Sequence, residues 1–310
     1  MPKINFYSHS KLSTFEQCPQ KYKFRYIDKI KPLIEKTIEA HLGSAVHSAL
    51  EWLYNFVKNH PEREGKPPAL DEVLEKYIEE WQKNFSENIA IVKKQFTAKD
   101  YFNKGISFLA NYYTQHHPFK DGTIECEKRI VIELDEETKI QGFIDRLVRN
   151  IDKGNYEIHD YKTANTLPSQ EKMDQDRQLA LYSIAIKELY GEDKEVVLIW
   201  HYLAHNQKIV SIRTNEQLEQ LKKETKELIK KIESTTDFYA KPSILCDWCE
   251  FKDICPAFNP NVTDNSKIPK QTTLNDSELD KFPTTKKYII DKKFEGKNPA
   301  DENDFELDIF

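Results

Sequence analysis

Gly142-Phe143-Ile144-Asp145-Arg146 and Asp160-Tyr161-Lys162-Thr163 are the two stretches of sequence that decide the fold. Both are predicted to be strands, and the turn-forming residues between them indicate that the two strands are neighbours. Because side chains alternate between the two faces of a strand, Asp160 and Lys162 point to one face and Tyr161 points to the other. The sequence therefore predicts a carboxylate beside a lysine, next to a strand that carries Asp145.

This set of side chains suits the hydrolysis of phosphodiester bonds. Asp145 and Asp160 offer the hard oxygen ligands that Mg²⁺ or Mn²⁺ prefers, and such a cation polarises a phosphate and acidifies a water. Lys162 can orient that water and stabilise the charge that develops on the phosphate. The alternative is an ordinary surface salt bridge between Asp160 and Lys162, which is common for an isolated Asp-x-Lys.

Three further side chains favour the catalytic interpretation. Gln178 and Tyr182 lie four positions apart on a predicted helix, so they share one face of it. His47 opens an earlier helix after Gly43, and a neutral imidazole is an acceptable ligand for Mn²⁺ or Mg²⁺. A lone histidine is more often structural, so His47 is interpreted as a metal ligand only because the other site residues accompany it.

The chain around these stretches changes between helical and strand patterns. Apolar spacing predicts helices over 43–59, 71–84, 98–115, 172–190 and 218–232. Period-two alternation and turn residues predict strands over 130–134, 139–149, 156–163, 195–204 and 208–214. Helices, a meander of strands, a helix and further strands predict an α/β fold with a mixed central sheet.

Four of the five cysteines form a pattern that indicates a metal or cluster site. Cys246, Cys249 and Cys255 lie in one short segment, and Cys18 lies near the beginning of the chain. Three thiolates from one loop and a fourth from a distance make an S4 site, which suits an iron–sulfur cluster or zinc. The alternatives are buried small side chains or a zinc ribbon, although a ribbon usually pairs CxxC with a second CxxC or two histidines. Cys126, on a strand, is interpreted as a core residue.

In combination these residues resemble the RecB-like branch of the PD-(D/E)XK nuclease superfamily, and within it the iron–sulfur members, which include the AddB nuclease domain and the CRISPR-associated adaptation nuclease. The resemblance covers most of residues 5–258 and rests on these landmarks: 10–19, 43–47, 142–146, 160–163, 178–182 and the cysteine triplet. It implies a restriction-endonuclease-like core with a mixed central β-sheet flanked by helices. It also implies an iron–sulfur closure of the N- and C-terminal segments. The helical insertion at 60–120 departs from the family pattern, because it is larger than a minimal member needs, and it is expected to form a helical wall over the substrate.

The resemblance implies a role for each site residue. The ligands of Mg²⁺ or Mn²⁺ would be His47, Asp145, Asp160 and the backbone carbonyl of Tyr161. The catalytic residues would be Lys162, Asp145, Asp160, Gln178 and Tyr182, with the last two positioning the nucleophile or the DNA. A [4Fe-4S] cluster would be held by Cys18, Cys246, Cys249 and Cys255. The implied activity is that of an exonuclease on single-stranded DNA ends, in repair, recombination or defence.

The same reasoning divides the chain into five segments. These are a basic and aromatic segment with the first cysteine (1–42), a helical region with His47 (43–120), the nuclease core (121–240), the cysteine segment (241–262) and a tail (263–310). The tail is rich in Asn, Asp, Lys, Thr and Pro and is predicted to be flexible with an acidic tip. The tip is expected either to dock on a partner or the protein's own DNA channel, or to be a plain solvated end.

Charge and composition are compatible with this function but do not select it. The net charge of −6 hides a basic N-terminal segment, because residues 1–31 hold seven Lys or Arg against two acids. The aromatic residues among these charges suit single-stranded DNA, whose bases stack and whose phosphates need neutralisation; alternatively, they pack around the cluster. No run of about 18 apolar residues and no signal peptide occurs, so a cytoplasmic protein without a membrane partner is expected.

Two other classes of protein would keep part of this pattern. A non-catalytic or partner-dependent DNA-binding iron–sulfur protein needs the cysteines and the basic segment but not Lys162. A redox or zinc-dependent regulator uses the cysteine site alone. No P-loop motif occurs in the sequence, so a helicase or other DNA-processing motor, if one takes part, is another protein.

Overall fold

The computed structural model describes residues 5–32, 34, 36–63, 66–86 and 88–260, all within one structural unit. The helices are α1 (His9–Gln17), α2 (Pro19–Tyr22), α3 (Ile38–Asn59), α4 (Leu70–Lys83), α5 (Ala98–His116), α6 (Gln170–Asp174), α7 (Arg177–Tyr190) and α8 (Asn215–Ser234). The strands are β1 (Asn5–Tyr7), β2 (Lys36–Thr37), β3 (Ile89–Ala90), β4 (Thr123–Glu133), β5 (Thr138–Asn150), β6 (Asn155–Lys162), β7 (Val196–Tyr202) and β8 (Gln207–Ile212). The tail predicted at 263–310 lies outside the described residues. No helix in the described part of the chain is long and apolar enough to cross a membrane.

Six strands form one mixed sheet in the order β1-β5-β6-β7-β8, with β4 added to β5. β4 runs antiparallel along one edge of β5, from Val148 to Lys139. The other edge of β5 is shared, because β6 pairs antiparallel with residues 146–150 and β1 pairs parallel with residues 138–140. Residues 141–145 of β5 therefore lie at a fork between β6 and β1, and Asp145 lies where β6 departs.

Helices flank this sheet, as the α/β prediction requires. The main core joins α1, α7 and α8 to the strands and includes Leu12, Ile140, Leu147, Ile158, Leu181, Leu198 and Ile229. α3 contacts β4 and β5, while α4 packs on both α3 and α5. Tyr77 and Trp81 of α4 are fully buried in that helical layer. The prediction of an α/β fold with a mixed central sheet is confirmed, and the architecture is consistent with a restriction-endonuclease-like core.

Two predicted helices have different limits in the structure. The helix predicted over 172–190 is two helices, because the side chain of Asp176 accepts a hydrogen bond from the Leu179 amide and begins α7 there. α3 starts at Ile38, five residues before its predicted start, and Thr37 is its N-cap. Gln178 and Tyr182 both lie within α7, so the prediction that they share one face of a helix is unaffected by these changes.

The N-terminal segment is largely helical, and most of its rings point inward. Phe15 and Tyr22 contact each other edge to face at 5.4 Å, and Tyr22 stacks on Phe238 at 6.2 Å. Phe24 contacts Phe251 of the cysteine segment at 5.6 Å. Phe15 and Tyr22 therefore belong to the main core and are not available to stack on bases, and of these three rings Phe24 is the one that lies beside the cysteine segment, as the packing alternative expects.

Candidate catalytic site

The first half of the site lies at the fork between β5 and β6. The backbone amide of Tyr161 donates a hydrogen bond to Asp145 Oδ2 at 2.8 Å. His47 of α3 lies beside them, with Nε2 2.7 Å from the Tyr161 carbonyl oxygen and Nδ1 3.4 Å from Asp145 Oδ2. Gly43 lies on the same helix, and a Cβ there would make a tight contact of 3.3 Å with Thr163 Oγ1, just after β6. Three of the predicted metal-binding groups thus meet at one point.

Glu127 of β4 joins this group, although no sequence pattern singled it out. Ligand atoms of His47, Glu127 and Asp145 all lie within 4.8 Å of one another, so the three side chains could hold a metal ion. The flanking pairs of the β4–β5 register place Glu127 opposite Asp145. Its φ of 47° interrupts the regular alternation of the strand. In sequence Glu127 belongs to a charged run that is typical of a solvated strand face, and only the register of β4 against β5 could have revealed it.

The second half of the site lies on β6 and α7. Lys162 Nζ is 2.8 Å from Asp160 Oδ2, in agreement with the predicted alternation, and donates to Gln178 Oε1 at 3.3 Å. Tyr182, one turn after Gln178, lies against β5 at Gly142. A Cβ on Gly142 would come within 2.4 Å of the Tyr182 ring, so any larger residue there would displace the ring. The structure therefore brings the predicted catalytic side chains into one region.

Burial and mutual repulsion set the charges of the site. Burial, followed by the neighbouring carboxylate of Asp160, raises the pKa of Asp145 to about 6. Burial, followed by the charge of Asp145, raises the pKa of Glu127 to about 7. Burial disfavours the charge of Lys162, but its ion pair with Asp160 outweighs burial and raises the pKa of Lys162 above its ordinary value. Lys162 is therefore an ammonium at neutral pH, and the paired acids favour a bound cation.

A buried polar network holds Tyr161 in place from its side chain. Arg146 is 1% exposed, and its Nε donates to Tyr161 Oη at 2.8 Å. The same guanidinium lies 2.7 Å from His159 Nδ1 and forms an ion pair with Asp121. Burial, followed by the charge of Arg146, keeps the pKa of His159 well below its ordinary value, so this histidine is neutral. The network therefore holds Tyr161, whose backbone amide contacts Asp145 and whose carbonyl oxygen contacts His47.

The first half of the site fits a divalent metal ion. Adjacent ligands of an octahedral ion with bonds of about 2.1 Å lie about 3 Å apart. His47 Nε2 and the Tyr161 carbonyl oxygen are 2.7 Å apart, and the carboxylates of Glu127 and Asp145 lie beside them. A set of oxygen donors with one imidazole suits Mg²⁺ or Mn²⁺ better than a soft metal. Asp160, which was also predicted as a ligand, faces Lys162 in this structure.

The four predicted cluster cysteines line one pocket between the end of α1 and the segment after α8. All four are free thiols. The backbone amide of Lys241 donates to Cys18 Sγ at 3.5 Å, and that of Ser243 donates to Cys246 Sγ at 3.3 Å. Cys126 lies on β4 instead, where burial raises the pKa of its thiol to about 12. The pocket thus contains the cysteines that the spacing selected.

Residues 7–256 match the family profile of the PD-(D/E)XK nuclease superfamily, whereas no curated protein matches the chain. Among solved structures, the crystal structure of SSO0001 is 14% identical, covers 83% of this chain and 88% of its own, and has a TM-score of 0.38. A candidate exonuclease from Eubacterium rectale is 13% identical, covers 88% of this chain and 92% of its own, and has a TM-score of 0.47. Since the family profile spans most of the sequence, this chain belongs to the PD-(D/E)XK nuclease superfamily.

Proposed function

We propose that this protein is a metal-dependent deoxyribonuclease that hydrolyses phosphodiester bonds. The observation that carries the proposal is the fork itself. Where β6 leaves β5, His47, Asp145 and the Tyr161 carbonyl lie together, and Lys162 on the same strand β6 forms an ion pair with Asp160. The first group would bind a cation and the second provides an ammonium beside it. A phosphodiester bound there would have positive charge close both to its oxygens and to the attacking water.

The residues of the site have separate tasks in this proposal. A divalent cation held by His47, Asp145 and the Tyr161 carbonyl would polarise the scissile phosphate and lower the pKa of a water. Lys162, whose pKa its ion pair with Asp160 raises, would orient that water and act as a positive charge toward the phosphate oxygens. Gln178 accepts a hydrogen bond from Lys162 and thereby directs the ammonium.

We also propose that Cys18, Cys246, Cys249 and Cys255 hold a [4Fe-4S] cluster. Their position around one pocket supports a shared ligand. Three cysteines in one short segment and a fourth far upstream also fit a zinc ribbon poorly, because a ribbon usually pairs CxxC with a second CxxC or two histidines. The cluster would join the end of α1 to the segment after α8 and so stabilise the fold.

For the substrate we propose DNA with a single-stranded end, which the protein would degrade as an exonuclease in repair, recombination or defence. The cysteine set supports a reducing compartment such as the cytoplasm, where thiols stay available for a cluster. Single-stranded ends arise when a motor opens a duplex, so a helicase or another DNA-processing protein is the proposed partner.

The experiment uses protein purified without oxygen and end-labelled DNA. Linear single-stranded, circular single-stranded and duplex DNA are incubated with Mn²⁺, Mg²⁺ or EDTA, using the wild type, Asp160→Ala and Lys162→Ala. Lys172→Ala, at an exposed position of α6, is the matched control. Metal-dependent cleavage of linear but not circular DNA, lost only in the two site variants, is expected. Binding of DNA without cleavage by a cluster-loaded wild type would instead indicate a partner-dependent DNA-binding protein.

A further inference from the structure

One face of β1, β4 and β5, beside the fork, carries a group of side chains that the catalytic site does not use. We call this group the open face and define it by Phe6, Arg129, Lys139, Gln141 and Phe143. On the opposite face of the same strands, Ile130, Ile132, Ile140 and Ile144 belong to the main core. The open face is therefore the outer side of a sheet whose inner side is fully packed.

The backbone geometry places these five side chains together. Gly142 is directed at Tyr182 of α7, so Phe143, its neighbour in the strand, points to the opposite face. Arg129 pairs with Phe143 across the β4–β5 ladder, and residues that pair directly share a face. Phe6 pairs with Lys139 across the β1–β5 ladder, two residues before Gln141 on the same side of β5.

The open face exposes two aromatic rings. Phe143 is 52% exposed and Phe6 is 41% exposed, whereas Phe15 and Tyr22 of the N-terminal segment are buried in the core. From the rise per residue in a strand, the α-carbons of Phe143 and Phe6 lie about 14 Å apart. The α-carbons of Phe143 and Asp145, two residues further along β5, lie about 7 Å apart. An exposed ring at this distance from a metal-binding carboxylate lies within reach of a nucleotide next to the scissile one.

The charges of the open face favour a polyanion near Phe143. Arg129 is exposed and donates to the neutral side chain of Gln141 at 3.1 Å, and no ion pair between Arg129 and a carboxylate occurs among the described residues. Lys139, further from the fork, forms an ion pair with Glu133 and is therefore partly neutralised. The strongest positive charge of the face thus lies directly across the ladder from its most exposed ring.

We propose that the open face binds single-stranded DNA on its way into the catalytic site, with Phe143 stacking on a base and Arg129 contacting a phosphate. This inference rests on the proposed function, because it uses the fork as the place where the strand is cleaved. A duplex stacks its own bases inside, so only a single strand offers a free base to an exposed ring. An aromatic ring beside a cation is the combination that binds single strands without sequence preference.

The test is equilibrium binding measured by fluorescence anisotropy, in EDTA at low salt so that no cleavage occurs. The probes are a fluorescein-labelled oligothymidylate and a blunt hairpin duplex of the same charge. Phe143→Ala is expected to weaken oligothymidylate binding about 5-fold to 100-fold, with a much smaller effect on the duplex. Phe143→Trp should keep the affinity, whereas Phe143→Leu should lose it because leucine has no π-face. Ile151→Ala, at an 81% exposed position after the far end of β5, is the matched control and should bind like the wild type.

Three results would overturn the proposal that the open face binds single-stranded DNA. They are no binding of oligothymidylate by the wild type, wild-type affinity in Phe143→Leu, or equal losses of affinity for the oligothymidylate and the duplex in Phe143→Ala. Melting temperatures identify any variant that fails to fold. If a Phe143 variant does not fold, Arg129→Gln tests the proposal instead, and it is expected to bind oligothymidylate more weakly and with a weaker dependence on salt. Hydrolysis in Mn²⁺ is scored separately. Its absence in the wild type would contradict the proposed function, while the anisotropy result would still decide whether the open face binds a single strand.

Discussion

The backbone amide of Tyr161 donates to the carboxylate of Asp145 at 2.8 Å, at the point where β6 leaves β5. Because the donor is a main-chain group, no substitution of residue 161 by another non-proline residue removes it. The position of Asp145 therefore depends on the pairing of the two strands, and the Tyr161 side chain secures that pairing through its hydrogen bond with Arg146. The geometry of the proposed metal site therefore depends on the sheet more than on the side chains of the site.

Lys162→Met is expected to reduce the rate of DNA cleavage about 100-fold to 1,000-fold, because it removes a fixed positive charge from the phosphate. The variant should still bind Mn²⁺, since Lys162 is not one of the proposed ligands. Cleavage rates and Mn²⁺ titrations measure the two effects. Lys172→Met is the control, and a similar loss of cleavage in both variants would contradict the assignment.

At pH 8, above the raised pKa of about 7, Glu127→Gln is expected to weaken Mn²⁺ binding about 10-fold to 100-fold, because it removes one negative charge from the group that Glu127 forms with His47 and Asp145. Isothermal titration of metal-free protein measures this affinity directly. Glu136→Gln removes the same charge at an exposed position in the β4–β5 turn and serves as control. Unchanged affinity in Glu127→Gln would show that Glu127 lies near the metal without binding it.

Asp145→Asn is expected to stabilise the metal-free protein at pH 8, by up to about 3 kcal/mol, and to have no such effect below about pH 4. The folded state raises the pKa of Asp145 to about 6, so this carboxyl holds its proton more tightly in the folded chain than in the unfolded chain. Its contribution to stability is therefore complete below its unfolded pKa and is lost as the pH rises through about 6. Urea unfolding in EDTA across this range measures the difference, and a pH-independent difference would contradict the raised pKa.

Cys18→Ala is expected to lose the iron and the broad visible absorption of the anaerobically purified protein, because it removes one of the four proposed thiolates. It should also lower the melting temperature, since the cluster would join the end of α1 to the segment after α8. Cys126→Ala, on β4, is the control and should keep its iron. Stoichiometric zinc in place of iron in the wild type would contradict the cluster.

Arg146→Met is expected to lower the free energy of unfolding by about 3 kcal/mol, because Tyr161 and His159 would lose their buried partner. Arg149→Met, at an exposed position of the same strand, should change it by less than about 0.5 kcal/mol. Urea denaturation of both variants in EDTA provides the comparison. Equal stability of the two variants would show that the buried network contributes little.

The sequence was sufficient for the parts of the site that follow simple periodicity. Asp160 and Lys162 share a face because strands alternate, and Gln178 and Tyr182 share one because helices turn once every four residues. Glu127 was missed because its φ of 47° breaks the alternation of β4, and no local pattern announces such a residue. Its approach to Asp145 arises from the register of two strands, which is a property of the whole sheet.

The limits of the helices show the same division between local and distant causes. The break between α6 and α7 depends on the Asp176 cap, a local signal that the apolar stripe of the helix concealed. The inward packing of Phe15 and Tyr22 depends on Phe238, more than 200 residues away, so the composition of the segment left both base stacking and inward packing open. The distant contacts place Phe15 and Tyr22 in the core, whereas Phe6 of the same segment is exposed.

The cysteines that line the shared pocket are synthesised at very different times. Cys18 leaves the ribosome 228 residues before Cys246 does, and at about 5–20 residues per second that interval is roughly 10–45 s. Throughout it the Cys18 thiol is without its partners, while α1 and the sheet are already being made. For the proposed cluster to form, this thiol has to stay reduced until Cys246, Cys249 and Cys255 have been synthesised, so insertion of that cluster would follow the synthesis of residue 255.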